Sequence, residues 1–339
     1  MSVPLAQPAA LSGAILGSTY ATRARGHEGA KLPGVSERRA GLGFGLAAYL
    51  LWGLFPLYFL LFARSGALEV VAHRAVWSLV FCAVLLTVLR QWGTLRAALA
   101  DRRLSLGLAV AGVLIVVNWL TYVFAVFSGR TLETALGYFI NPLAVAGLGI
   151  VVLGERLRRL QWFAMAFGVA SVLVMVVGYG QMPWIALVLA CSFGTYSLVK
   201  KVAGRSVGAL PGLAIETGAV APLALGYLGW LAVTGQATGA PLSGYGALLA
   251  TTGILTAVPL LLFASAARRV SMVTIAVLQY IAPIGQFLLG WLVFHEPMPP
   301  MRWAGFALVW AAVVVFLVDG ILASRRRRPV CPAPPGREH

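Results

Sequence analysis

Apolar runs of 18 to 24 residues recur along the chain from about residue 41 onward, separated by short polar or basic connections. Each run is close to the roughly 20 residues that an α-helix needs to cross a hydrocarbon core of about 30 Å. Membrane-spanning β-strands would alternate apolar and polar positions, whereas these runs stay apolar on all sides. The pattern therefore predicts an all-α polytopic membrane protein with ten transmembrane helices, at 41–62, 69–89, 104–127, 133–153, 160–178, 183–200, 210–232, 246–267, 271–294 and 302–323.

Composition supports a membrane location and disfavours several classes of enzyme. Of the 339 residues 60% are hydrophobic and only 11% are charged, against roughly 25% charged in soluble domains. The sequence contains no HExxH motif, no clustered acids and no GxxxxGK[ST] loop for ATP, so we expect no catalytic activity. Cys82, Cys191 and Cys331 show no metal-ligand spacing, and we expect no metal and no cofactor.

The basic residues indicate the orientation of the chain. Of the 26 Lys and Arg residues, 22 fall in alternate connections and in the two tails. Because cytoplasmic loops are enriched in Lys and Arg, we expect a multi-pass protein of the plasma (inner) membrane with both termini cytoplasmic. The run Arg325–Arg328 is a candidate nucleic-acid arm, but anionic lipid headgroups are the nearer partner, and no nucleic acid is expected.

An internal repeat appears when the chain is aligned with a shifted copy of itself so that Pro142 meets Pro283. We call this displacement the repeat shift. It also matches Ile140 with Ile281, Gly149 with Gly290, Glu155 with Glu296, Trp162 with Trp303, and Trp52-Gly53 with Phe193-Gly194. Five spans per half is an odd number, so the second half enters the bilayer inverted relative to the first. We therefore predict a disordered cytoplasmic tail over 1–39, five-helix repeats over 40–180 and 181–323, and a basic cytoplasmic tail over 324–339.

Two prolines at matching positions predict interrupted helices. Pro142 and Pro283 each lie about ten residues into a span, where a proline removes one backbone hydrogen bond. In transporters built from inverted repeats, such breaks mark a site near the midplane, whereas elsewhere a proline only kinks a helix for packing. Polar neighbours favour the site, namely Tyr138 and Asn141 beside one proline and Gln279 and Tyr280 beside the other.

Ionisable residues within the spans are the strongest candidates for function, because they are costly there. Glu216 is the one acid predicted well inside a span, about six residues from its cytoplasmic end, and His73 with Arg74 holds the mirrored place near the outer end of span two. Arg74 alternatively extends to the outer surface. Their depths leave about 13 Å between Arg74 and Glu216 along the membrane normal, so we expect the two ends of one pathway and no direct salt bridge. Candidate lining residues are Trp52, Tyr58, Trp77, Asn118 and Trp119.

Several ordered motifs resemble the RarD family, the chloramphenicol-sensitivity proteins of the EamA branch of the drug/metabolite transporter superfamily. They are AYLLWGLFPLYF (Ala48–Phe59), HRAVWS (His73–Ser78), NW (Asn118-Trp119), ETALGYFINPL (Glu133–Leu143), LGERLRRLQW (Leu153–Trp162), IET (Ile215–Thr217) and QYIAP (Gln279–Pro283). The resemblance covers about 43–323 and implies ten spans in inverted halves and a permease of poorly defined substrate. Leu60 stands where the family often has a lysine after the aromatic pair; if that lysine binds an anion or pairs with Glu in relatives, substrate or coupling differs here.

Together these features predict a secondary transporter that moves a small organic metabolite or drug-like solute by alternating access. Glu216 and His73 are the candidates for proton coupling. Two alternatives share the membrane architecture. One is a lipid or lipid-carrier flippase, and the other is a scaffold or sensor that transports nothing. The substrate, the direction of transport, the coupling ion and the oligomeric state do not follow from the sequence.

Overall fold

The computed structural model describes residues 35–154, 156–180, 182–203, 207–239, 243–267 and 269–326, and these residues form helices and no strands. Residues 1–34 and 327–339 of the two expected tails, and Glu155 of the repeat, lie outside the described residues. The helices are α1 (Val35–Leu60), α2 (Ala67–Val88), α3 (Trp92–Ala100), α4 (Arg102–Phe127), α5 (Thr131–Leu153), α6 (Arg159–Tyr179), α7 (Trp184–Ala203), α8 (Ala209–Val233), α9 (Gly244–Ala267), α10 (Met272–Leu278), α11 (Ile281–Leu288), a π-helical turn (Leu289–Val293) and α12 (Pro300–Arg326).

Eight helices of the described residues are long and apolar enough to cross a membrane, namely α1, α2, α4, α5, α6, α8, α9 and α12. Two further apolar segments are shorter, Trp184–Lys200 in α7 and Ile281–Val293 in α11 with the π-helical turn. These two segments occupy the predicted spans 183–200 and 271–294. The described part of the chain is thus helical, with several helices long and apolar enough to cross a membrane.

Several helix boundaries differ from the prediction, and one additional helix is present. Helix α1 begins at Val35, inside the stretch 1–39 expected to be disordered, and α12 continues to Arg326, past the predicted end at 323. The short helix α3 fills a stretch predicted as a connection. It is separated from α4 by Asp101, whose Oδ1 accepts hydrogen bonds from the backbone N–H groups of Arg103 (3.0 Å) and Leu104 (3.1 Å). This is a standard N-cap, and it starts a new helix.

The expected break is present in the second half and absent in the first. Gln279 and Tyr280 interrupt the helix between α10 and α11, and Pro283 is the third residue of α11, where its missing N–H is tolerated. Pro142, in contrast, lies inside an α5 that continues from Thr131 to Leu153. The expectation of an interruption at Pro142 is therefore wrong for this structure. A proline removes a single backbone bond, and membrane helices often accommodate that loss without ending.

The most extensive packing joins helices that are distant in sequence. Helix α2 packs on α8 and α9, α4 on α7 and α8, and α1 on α9 and α11, while α5 packs on α7 and α6 on α12. The helices of the first half therefore pack mainly on those of the second.

Glycines permit two of these close approaches. A Cβ atom on Gly112 of α4 would overlap the carbonyl oxygen of Glu216, and one on Gly253 of α9 would overlap the carbonyl group of Trp77. The backbones of α4 and α8, and of α9 and α2, thus meet directly at small residues, as is common between membrane helices. Glu216 is held against α4 by this contact.

The two ends of the bundle differ in charge. The "basic end" is the end where α2 stops and α8 starts, and it carries Arg90, Arg96, Arg102, Arg103, Arg158 and Lys200. At this end Arg158 pairs with Asp319 at 2.5 Å. At the "opposite end", the connection between α1 and α2 contacts the connection between α8 and α9. There, Glu69 accepts hydrogen bonds from the backbone N–H and the hydroxyl of Thr238, both at 2.9 Å.

A second carboxylate, Glu296, also closes the opposite end. It accepts hydrogen bonds from the backbone N–H groups of Thr131 (2.5 Å) and Leu132 (3.0 Å) at the start of α5. Burial raises the pKa of Glu296, an effect opposed by these two N–H groups and by the nearby charge of Arg302. Glu296 thus satisfies backbone N–H groups in the first turn of another helix, a role that its match with Glu155 in the repeat did not indicate.

Candidate functional site

Arg74 lies inside the bundle, eight residues into α2, and its residue is only 5% exposed. Its guanidinium carbon is 4.0 Å from the ring centre of Trp119 and 5.6 Å from those of Phe55 and Phe59. The Nε atom donates a hydrogen bond of 2.8 Å to the Thr256 hydroxyl. We call Arg74, Phe55, Phe59, Trp119 and Thr256 the arginine cage. The alternative in which Arg74 extends to the surface is not adopted.

A polar group next to the cage centres on Asn118. The Tyr138 hydroxyl donates to Asn118 Oδ1 at 3.1 Å. The Asn118 amide in turn donates to the Ser192 hydroxyl at 3.1 Å and to the Leu189 carbonyl at 3.2 Å. These bonds connect α4 with α5 and α7 through the Asn118 side chain. Asn118 lies about 24 Å along α4 from Arg102 at 1.5 Å per residue, and so lies well inside the bundle.

Glu216 lies near the basic end, and it is the eighth residue of α8 as Arg74 is the eighth residue of α2. Its residue is 1% exposed, and its carboxylate forms a salt bridge with Lys200 of α7 and accepts a hydrogen bond of 3.1 Å from the Tyr196 hydroxyl. The Lys200 side chain is 28% exposed, while that of Glu216 is fully buried. We call Glu216, Lys200 and Tyr196 the glutamate cluster. Among the described residues no salt bridge joins Arg74 to Glu216.

Aromatic rings connect the arginine cage to the glutamate cluster. The Tyr138 hydroxyl bonds to Asn118, which is the chain neighbour of the cage residue Trp119. The Tyr138 ring is 6.2 Å from that of Phe193, which is 5.7 Å from that of Tyr196. The two buried charges therefore lie at the ends of one continuous line of side chains.

The remaining predicted residues are distributed less closely. Trp52 and Tyr58 pack against the same apolar cluster as Tyr138, and the Tyr58 hydroxyl is 2.6 Å from that of Thr251. Tyr280 belongs to a second cluster and stacks on Phe139 at 6.3 Å. Gln279 lies with Tyr280 at the helix interruption.

Trp77 contributes a backbone contact to Gly253. Leu60, at the end of α1, is 41% exposed on the surface of the bundle. Leu60 is therefore a surface residue at the end of α1 and is not a member of the arginine cage.

Some buried polar atoms inside the bundle have no hydrogen-bond partner within the described chain. They include His73 Nδ1, the Tyr122 hydroxyl and Asn141 Oδ1. Buried polar atoms without a hydrogen-bond partner are uncommon in protein interiors, and they often mark a functional position or a bound water or ion. His73 is one turn after Glu69, and the two interact electrostatically. In the described residues no group of three or more His, Cys, Asp or Glu side chains is arranged to hold a metal ion.

Sequence reasoning missed Lys200, Tyr196, Phe55, Phe59 and Thr256. Lys200 is the last residue of a predicted span, a place where a lysine is typical of a cytoplasmic connection. The spacing of Tyr196 and Lys200, four residues apart on one helix, was an available signal that both side chains share a face. The repeat shift carries Phe55 onto Tyr196 and Phe59 onto Lys200. The alignment of the repeat therefore relates two residues of the arginine cage to two residues of the glutamate cluster.

Comparison with known proteins identifies the family. The profile of the "EamA-like transporter family" matches residues 182–318. "Protein RarD" of Streptomyces exfoliatus is 49% identical over 312 residues, which are 89% of this chain and 98% of that protein. The chain belongs to the RarD family. Another RarD protein, from Escherichia coli, is 40% identical over 86% of this chain and 98% of its own length.

A further relative is named as a transporter. An "Uncharacterized transporter YojE" of Bacillus subtilis is 41% identical over 83% of this chain and 94% of its length. One crystal structure aligns with a TM-score of 0.53 at 17% identity, covering 84% of this chain and 99% of that one. That likeness shows a shared fold. RarD membership and the apolar helices together make this chain a multi-pass membrane transporter.

Proposed function

We propose that this RarD-family chain is a secondary transporter, and not an enzyme, that moves a small organic metabolite or drug-like solute by alternating access. The observation that carries the proposal is the line of side chains between the arginine cage and the glutamate cluster. Charged groups inside a membrane are costly, and where they persist they commonly mark a substrate or ion pathway. A scaffold would have no use for two buried charges at opposite ends of one polar and aromatic path.

We infer ten spans in two inverted halves, 40–180 and 181–323, with α7 and the interrupted α10–α11 segment as the two short spans. Contacts related by the repeat shift support this inference. Gly45 meets Leu278, and Ala186 meets Gly137; Gly53 meets Gly285, and Gly194 meets Ala144. In each of these two pairs of contacts, the repeat shift relates both residues of one contact to the two residues of the other. Gly112 and Gly253, which permit the two closest backbone approaches, are related by the same shift.

The proposed orientation places the basic end in the cytoplasm of the cell, with both termini on that side of the plasma membrane. Anionic lipid headgroups are then the natural partners of the exposed arginines at this end. With this orientation the glutamate cluster lies toward the cytoplasm and the arginine cage toward the outside. Inverted repeats give two related conformations, each open to one side, around a site between them.

Proton coupling is proposed to involve Glu216, with His73 as the second candidate. The titratable and charged groups near Glu216 are Lys200, Tyr196 and the Cys82 thiol. Protonation of Glu216 removes the negative charge that holds the Lys200 ammonium group, and so weakens the contact between α7 and α8. Proton binding from the cytoplasm would then favour opening at that end.

Accessibility of one buried position tests the transport mechanism without a known substrate. In a cysteine-free background, Asn118→Cys is expected to react with a membrane-impermeant maleimide in both right-side-out and inside-out vesicles, because alternating access exposes the central path to each side in turn. Val117→Cys is the matched control, since Val117 is 42% exposed on the outer surface of α4 and faces lipid in a membrane. Reaction of Asn118→Cys from one side only, or from neither, would contradict the proposal.

A pH experiment tests the coupling role of Glu216. Lowering the cytoplasmic pH is expected to increase labelling of Asn118→Cys from the cytoplasmic side, because protonated Glu216 no longer holds Lys200. Glu216→Gln is expected to remove this pH dependence and leave labelling permanently high. Glu37→Gln, at an exposed position in the first turn of α1, is the control and is expected to keep the response. A Glu216→Gln protein with the wild-type pH response excludes Glu216 from coupling.

A further inference from the structure

The arginine cage contains a buried cation without a protein counter-ion. Arg74 is 5% exposed, and its guanidinium forms no salt bridge with any carboxylate in the part of the chain that the structure describes. Its one hydrogen bond to a described residue uses Nε, although a guanidinium carries five N–H donors. The donors on the two terminal nitrogens therefore have no acceptor among the described residues.

The surroundings of Arg74 stabilise a positive charge without neutralising it. The rings of Trp119, Phe55 and Phe59 attract a cation through their faces, but they carry no negative charge and accept no strong hydrogen bond. A buried charge of this kind usually has a partner, because leaving it unpaired is costly. The nearest acidic side chain on the same helix, Glu69, is engaged by Thr238.

Tyr122 supplies a second and independent sign of a missing occupant. Its residue is 3% exposed, and its hydroxyl is buried without a hydrogen-bond partner in the described residues. The Tyr122 side chain interacts electrostatically with Arg74, and its ring is 5.9 Å from that of Phe59. The residue with the unused phenol donor and the residue with the unused guanidinium donors thus both lie against the ring of Phe59.

We propose that the substrate of this transporter is an organic monocarboxylate with an apolar or aromatic body, bound by its carboxylate to Arg74 and Tyr122. A carboxylate matches the planar fork of the guanidinium, and one negative charge balances the one unpaired positive charge. The aromatic walls of the cage suit the apolar body. This inference rests on the transport function proposed above and names the substrate class for its outer site.

Comparison of the surroundings of Arg74 with those of Glu216 explains why only Arg74 needs a ligand as its counter-ion. Phe55 and Phe59 beside Arg74 correspond, by the repeat shift, to Tyr196 and Lys200 beside Glu216. At the inner position the protein supplies the counter-charge itself, through Lys200. At the outer position it supplies only rings, so the negative charge has to come from the cargo.

Thermal unfolding of the purified full-length protein in detergent tests the proposal with benzoate and 3-phenylpropionate as probes. Both anions are expected to raise the Tm in a concentration-dependent way, because a ligand stabilises the state that binds it. The neutral amides benzamide and 3-phenylpropionamide are expected to have no effect. A response to the amides equal to that of the acids, or no response to either acid, overturns the proposal.

Substitutions separate a ligand site from a merely structural arginine. Arg74→Met is expected to abolish the response to benzoate while leaving the Tm of the ligand-free protein unchanged or raised, because it removes an unpaired buried charge. Tyr122→Phe is expected to weaken binding about tenfold, and the control Tyr49→Phe, whose ring lies near Trp52 and Phe263, to leave it unchanged. Benzoate binding that survives Arg74→Met, or a large loss of ligand-free stability on that substitution, contradicts the proposal.

The outcomes also distinguish this inference from the transport proposal. If Asn118→Cys is accessible from both sides but no carboxylate binds, the transport mechanism stands and the substrate class is wrong. If benzoate binds through Arg74 but Asn118→Cys is accessible from one side only, the anion site stands and alternating access is wrong.

Discussion

Protein carrying Lys200→Met is expected to unfold at a markedly lower temperature than the wild type. The substitution leaves the Glu216 carboxylate, whose side chain is fully buried, with the Tyr196 hydroxyl as its remaining described side-chain partner. Breaking one side of a buried ion pair typically costs about 3–5 kcal/mol, because the other charge stays desolvated. The measurement is the Tm of purified protein in detergent, followed by tryptophan fluorescence.

The reciprocal substitution is expected to be milder. Glu216→Gln leaves Lys200, whose side chain is 28% exposed and long enough to extend its ammonium group toward water. The double variant Lys200→Met with Glu216→Gln is expected to recover most of the stability lost in Lys200→Met, since no unpaired charge remains. Arg96→Met, at an exposed position of the same end, controls for the loss of a positive charge. A double variant as unstable as Lys200→Met would show that the pair is not the source of the effect.

The difference expected between Lys200→Met and Glu216→Gln depends on a contact between distant residues, which the sequence alone does not predict. Hydrophobic runs are local features, so the apolar segments and the two buried charges, Arg74 and Glu216, could be predicted residue by residue. Their partners depend on how distant helices pack. Lys200 lies 16 residues before Glu216 on another helix, and at the end of an apolar run a lysine resembles a loop residue.

The two prolines illustrate the same limit. Pro142 and Pro283 have similar polar neighbours and matching places in the repeat, yet only the second half is interrupted, at Gln279 and Tyr280. Whether a helix ends at a proline depends on whether neighbouring groups satisfy the freed carbonyl, and that is a property of packing. The repeat was more informative than either residue alone, because a single shift relates contacts in three dimensions as well as matches in sequence.

A disulfide across the opposite end is expected to abolish access from the outside. Ser65 follows α1, and its hydroxyl is 2.5 Å from that of Thr238 in the connection between α8 and α9. Alternating access requires these two connections to separate whenever the path opens outward. Oxidation of a Ser65→Cys, Thr238→Cys protein would hold them together, whereas Ser65→Cys alone would leave them free and provides the control.

The most direct measurement combines this disulfide with the reporter Asn118→Cys in a background lacking Cys82, Cys191 and Cys331. The reporter is quantified by maleimide labelling from each side, after mass spectrometry has shown that the 65–238 disulfide is formed. Alternating access predicts labelling from both sides under reducing conditions, and from the cytoplasmic side alone once the disulfide is formed. Persistent labelling from the outside with the disulfide intact would contradict alternating access through the path between Arg74 and Glu216.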